Sequence, residues 1–152
     1  MAEGKYVIAY DIGTTGVKTC IFSISDRIEL VAAHSEGYKL YVMPNGGAEQ
    51  DPDEWWDAMR TCTNQVMKKS KINKKKIMGI SFCSQMQGVV LVDKDANAVR
   101  RAFSYMDQRA TQELKDGMGG APQIAGGNAV KVLKSLAITG AAPLSVKDPI
   151  WK

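Results

Sequence analysis

An apolar run from Tyr6 to Tyr10 stops at Asp11, and a second begins at Val17 and lasts to Ile24. Only a short polar turn, Gly13-Thr14-Thr15-Gly16, lies between them. A parallel crossover needs about a dozen residues or more, so these two strands must form an antiparallel hairpin. Ser25-Asp26-Arg27 makes the next turn, and Ile28 to His34 returns as a third strand. The N-terminal third is thereby committed to a β-meander. Ser35 to Met43 continues extended, with Tyr38, Leu40 and Val42 alternating, into the loop Pro44-Asn45-Gly46-Gly47.

The hairpin turn has chemistry to offer. Gly13 and Gly16 permit backbone conformations closed to other residues and let a ligand come close to the chain. Successive backbone amides in such a turn make a concavity for anions. The Thr14 and Thr15 hydroxyls add donors suited to phosphate oxygens. Asp11 would repel a phosphate unless Mg²⁺ sat between them, a cation that combines carboxylate, water and phosphate oxygens. Lys18 supplies a point charge for a phosphate chain.

Asp51-Pro52-Asp53-Glu54 opens a helix, with Asp51 as N-cap, Pro52 at the first position and Glu54 at the third, an Asp-led capping box. Trp55, Met59, Cys62 and Val66 mark its buried stripe, and it should end near Ser70. Both tryptophans, Trp55 and Trp56, read as core residues. Glu49 and Gln50 read as fixing the loop before the helix. Ile77 to Cys83 is a short apolar strand after a helix, so it should run parallel to the first strand and lie centrally. The loop after it, Ser84-Gln85-Met86-Gln87-Gly88, is a second candidate site, because ligands bind beyond the carboxyl ends of strands in open α/β sheets. Gly88 to Asp93 reads as a further strand and Lys94-Asp95-Ala96-Asn97 as a turn. A short helix over Thr111 to Gly117, a glycine-rich break, a helical turn or two from Val130 to Leu136, and a helix start at Asp148-Pro149 complete the chain.

The length of 152 residues suits one domain with a real core. The net charge of +4 is mild, and much of it lies in the run from Lys68 to Lys76. No aromatic residue interleaves those lysines, so the run reads as a helix terminus and a solvated loop, and no nucleic-acid partner is indicated. No apolar stretch is long enough for a membrane span. MAEGKYV carries no signal-peptide pattern. Three scattered cysteines suit a reduced, cytoplasmic protein, and His34, the single histidine, reads as structural.

DIGTTGVK resembles the first phosphate motif of the actin, Hsp70 and sugar kinase superfamily, and more narrowly that of the FGGY carbohydrate kinases, which include xylulokinase, glycerol kinase and gluconate kinase. Glu49-Gln50-Asp51-Pro52 with its following tryptophans resembles an FGGY pattern. Gln85-Met86-Gln87-Gly88 is similar to the family's Gln-Met-His-Gly, with Gln87 in place of histidine. Tyr105, Asp107 and Arg109 are similar to its Trp-x-Asp-x-Arg. The resemblance implies an α/β, ribonuclease-H-like fold with a mixed sheet and flanking helices. It implies transfer of the ATP γ-phosphoryl to a sugar or polyol hydroxyl, with a xylulose-like ketose favoured. Asp11 would act through Mg²⁺, while Gly13, Thr14, Thr15 and Lys18 hold phosphate. Gln85, Met86, Gln87 and Asp107 would face the sugar, with Arg109 as a brace. The family's general base lies in a motif of a second lobe, so no catalytic base is assigned. The chain reads as the N-terminal lobe without its partner. The apolar face that would meet that partner predicts self-association, as a homodimer. Two other classes are a non-catalytic binding lobe and an actin- or Hsp70-like ATPase. On the kinase reading this chain alone folds but phosphorylates nothing. It should bind Mg²⁺-ATP no tighter than about millimolar, because half a cleft leaves the nucleotide in water. Titration calorimetry checks this, and tight binding would overturn it.

Overall fold

The computed structural model describes residues 5–152, so most of the MAEGKYV reading falls outside the described residues. The chain divides into two compact units, one of residues 5–40 and Asp51–Gln85, the other of Tyr41–Gln50 and Met86–Lys152.

The first unit is a sheet with one helix across it. β1 (Lys5–Ile12), β2 (Gly16–Ile24) and β3 (Ile28–Gly37) form the expected antiparallel meander, and β6 (Ile77–Ser84) joins β1 in parallel. The order is β3-β2-β1-β6, a mixed sheet. Alternation along β2 buries Val17, Thr19 and Ile21 on one face, while β1 sends Ile8 and Tyr10 to the same core. α1 (Pro52–Ser70) packs on that face with Ala58, Cys62 and Val66. The Tyr10 hydroxyl reaches Thr63 Oγ1 at 2.7 Å, tying β1 to the helix.

The ends of α1 follow the sequence closely. The Asp51 carboxylate accepts the Asp53 N–H at 3.0 Å and Pro52 occupies the first position. The Glu54 carboxylate accepts the Lys39 N–H at 2.9 Å and so ties the incoming chain to the first turn of the helix. Lys71 closes the helix in the left-handed region, after Lys68 and Lys69 in the last turn, where cations favour the helix dipole. His34 lies between Lys69, with Nδ1 3.2 Å from Nζ, and Glu36.

Two expectations for this unit need correction. β6 is parallel to β1 but stands at the sheet's edge among the described residues, not at its centre. α1 lies over β2 and β3, so Met78, Ile80 and Phe82 on β6 are about 60% exposed, with Phe82 stacked on Tyr10 at 5.2 Å between ring centroids. Trp55 is half-buried beside Tyr38, but Trp56, beside Tyr10 and Met59, is 61% exposed.

The second unit holds a small sheet, β4 (Tyr41–Val42), β5 (Ala48–Gln50) and β7 (Ala102–Phe103), all antiparallel. Glu49 and Gln50, expected to fix the loop before the helix, are buried residues of β5. Val42 faces out despite its alternation with Tyr38 and Leu40. Gly88 to Asp93 does not form a strand; only single bridges at Val89 and Val92 pair there. The turn at Lys94 to Asn97 is present, organised by the Asp93 carboxylate, which accepts the N–H groups of Asp95 and Asn97. α2 (Thr111–Met118) and α3 (Ala129–Thr139) flank a two-stranded hairpin, β8 (Gln123–Ile124) and β9 (Gly127–Asn128), that periodicity does not reveal. At the C-terminus, Pro149–Trp151 makes a single 3₁₀ turn, and the Asp148 carboxylate accepts the Ser145 N–H instead of capping it.

Ile21 is fully buried beneath α1, so Ile21→Ala removes core contacts and leaves a cavity. A loss of about 3 kcal/mol in unfolding free energy is expected by urea titration.

Candidate functional site

In the first unit the hairpin turn is the candidate site. Asp11 and Lys18 stand directly opposite each other on the β1–β2 ladder, immediately below the turn. Asp11, Gly13, Thr15, Gly16 and Lys18 line an open depression of about 430 Å³, together with Glu36 of β3. Thr14 is half-buried at the turn and Thr15 is exposed. The Gly13 N–H donates to Gly16 O at 3.0 Å, closing the turn on itself. Glycine at Gly16 is a spatial requirement: a Cβ there would lie 2.5 Å from Glu36 O of the neighbouring strand. Gln85 continues beyond β6 and donates its N–H to Ile12 O at 2.7 Å, so it stands at the same carboxyl end of the two parallel strands as Asp11.

Tyr38 was not among the expected site residues, yet it is built into this turn. Its hydroxyl donates to Gly13 O, with Gly16 O 3.2 Å away as a second acceptor. Burial, and then the nearby charge of Asp11, push that hydroxyl up to about 12. The partner of its hydroxyl could be known only once β3 was laid beside the hairpin.

The donor set suits Mg²⁺ bound through phosphate. Exposed Asp11 stands beside a glycine turn and an ammonium, while Glu36, the other carboxylate of the depression, lies 3.6 Å from His34; this matches a cation held by one protein ligand, waters and phosphate oxygens. Among the described residues, no group of three or more acidic, histidine or cysteine side chains converges as an all-protein cage.

In the second unit, Met86 is 79% exposed and Gln87 is exposed in a left-handed backbone conformation. Asp107 is different. It is 1% exposed, and its oxygens accept from Ala48 N at 2.9 Å, Arg109 N at 3.0 Å and Arg109 Nε at 2.9 Å. A carboxylate so occupied has little capacity left for sugar hydroxyls. Arg109 also donates to Glu49 Oε1 at 2.7 Å, which Arg100 shares at 2.5 Å. Arg100 and Arg109 both lie near the face of Phe103, at 4.3 and 5.2 Å from its centroid. Burial alone would push Asp107 up. The Arg109 side chain, the Ala48 and Arg109 amides and the Arg109 charge outweigh it and hold Asp107 below the usual carboxylate range. The Asp107 hydrogen bond in turn keeps Arg109 protonated, against burial and with help from Glu49. Sequence reasoning missed Glu49 as the hub, because its partners lie 51 and 60 positions away.

The mixed sheet, its flanking helix and the glycine turn define the ribonuclease-H-like fold shared by actin, Hsp70 and the sugar kinases. Residues 6–118 match the model of the FGGY family of carbohydrate kinases, N-terminal domain, and the chain belongs to that family. It is 34% identical over 109 residues to the xylulose kinase of Bacillus subtilis, covering 72% of this chain and 21% of that protein. Its structure resembles a gluconate kinase from Lactobacillus acidophilus, with a TM-score of 0.79 and 27% identity, over 98% of this chain and 27% of that one. It also resembles the ligand-bound xylulose kinase from the same organism, with a TM-score of 0.66 and 31% identity, over 74% of this chain and 22% of that one. The chain thus spans about a quarter or less of the relatives it matches.

Arg109→Met strips Asp107 of its cation and should cost about 2 kcal/mol, less than the roughly 3–5 kcal/mol of a fully buried pair because the Arg109 side chain keeps 27% exposure. The depressed Asp107 contributes stability above the ordinary aspartate value of about 3.9 and loses it as pH falls through the folded-state value. Urea titrations between about pH 5 and pH 2 should show a shallower loss for Asp107→Asn than for the wild type.

Proposed function

We propose that this chain supplies the N-terminal lobe of an ATP-dependent carbohydrate kinase that moves the ATP γ-phosphoryl to a sugar or polyol hydroxyl, a xylulose-like ketose being favoured. The observation that carries this is the Gly13–Gly16 turn, closed on itself, with Asp11 and Lys18 opposed just beneath it. The names of the relatives, xylulose kinase and gluconate kinase among them, support the substrate class.

The turn amides and the Thr14 and Thr15 hydroxyls bind phosphate oxygens, and Lys18 adds a positive charge to them. Mg²⁺, held by Asp11, would neutralise charge on the phosphate chain, since phosphoryl transfer depends mainly on positioning and electrostatics. Met86 and Gln87 of the second unit face the sugar; the exposure of Met86 supports its availability, and the Gln87 amide, exposed as well, lies 3.4 Å from the Asp148 carboxylate. Asp107 acts as a positioning residue, holding Arg109 and the β5 backbone from below. No general base is assigned among these residues.

The test uses the complete enzyme with Mg²⁺-ATP and a panel of ketopentoses, glycerol and gluconate. Asp11→Asn should lower kcat by about a hundredfold or more without unfolding the protein. Wild-type turnover in that variant, or ATP hydrolysis that ignores the sugar, would refute the assignment.

A further inference from the structure

Tyr38 follows β3 directly and engages three of the four turn residues. Its backbone N–H donates to Thr15 O at 3.3 Å, and its hydroxyl lies between Gly13 O and Gly16 O. A peptide unit is planar and trans, so its carbonyl and the following amide lie on opposite edges of one plane. Holding Gly13 O therefore sets the plane that carries the Thr14 N–H, and holding Thr15 O sets the plane that carries the Gly16 N–H.

Tyr38 is itself held. Its ring lies 6.4 Å from that of Trp55, tilted by 58°, and the next residue, Lys39, donates its N–H to Glu54 in the first turn of α1. A hydroxyl pushed up to about 12 remains a donor throughout the working pH range.

We propose that Tyr38 is a positioning residue for the phosphate turn: through the Gly13 and Thr15 carbonyls it fixes the orientation of the amides that receive ATP phosphate, and it ties that orientation to the start of α1. The inference rests on the phosphate-binding reading of the turn. It assigns Tyr38 no contact with substrate.

The test is Tyr38→Phe in the complete enzyme, which keeps the ring against Trp55 and deletes only the hydroxyl. The KM for Mg²⁺-ATP should rise about fivefold, with the sugar KM unchanged. Amide hydrogen exchange in a peptide spanning residues 12–17 should quicken, while the thermal midpoint stays near the wild-type value. Asp11→Asn is run in parallel. If Asp11→Asn cripples turnover and Tyr38→Phe leaves the ATP KM and the exchange at wild-type values, the Tyr38 role is wrong and the phosphate turn stands. Wild-type kinetics in both variants would overturn both. Equal rises in both KM values with a lowered midpoint would mean general loosening, which also overturns it.

Discussion

The antiparallel pairing of β1 with β2 is the constraint from which the first unit is built. A strand pair joined by so short a turn has one register, and that register places Asp11 opposite Lys18. It also sends Ile8, Tyr10, Val17 and Ile21 to one face, where α1 covers them. Slipping the ladder by one residue would bury Lys18 and expose Ile21, so the core and the site depend on the same choice. Gly16 permits the third strand to come close, since any side chain there would strike Glu36 O.

A phosphate site needs backbone amides aimed before the ligand arrives, because ordering them afterwards consumes binding free energy. In this turn the aiming is done from behind, through the carbonyls. The Gly13–Gly16 hydrogen bond and the Tyr38 contacts satisfy polar groups that would otherwise compete for the ligand or for water. Asp11 sits close enough to raise the Tyr38 hydroxyl, so the proposed metal ligand and the clamp share one electrostatic environment.

The second unit uses charge differently. Asp107 and Glu49 are almost fully buried, and the two arginines that satisfy them stay partly in solvent. Such a pair holds its geometry because breaking it leaves a buried carboxylate without a partner. Asp107 and Arg109 are thereby tied to each other and to the β5 backbone, while Gln87, elsewhere in the unit, is exposed with its side-chain amide 3.4 Å from the Asp148 carboxylate.

The sequence by itself determined whatever is local. The hairpin, the third strand, the bounds of α1 and the phosphate-like turn follow from periodicity, glycine placement and the Asp51-Pro52 start, all of which act within a few residues. The resemblance in DIGTTGVK and in the Tyr105–Arg109 segment was likewise legible. Tertiary structure decided what depends on distant partners. Whether β6 is covered depends on where α1 lies, so an apolar strand that reads as central stands at an edge. Whether Asp107 faces solvent depends on Arg109 and on Ala48, 59 positions away, so a residue that reads as a sugar ligand is enclosed. Tyr38 gave no local sign of its role, because its acceptors lie 22 and 25 residues back along the chain and only the β2–β3 pairing brings them within reach.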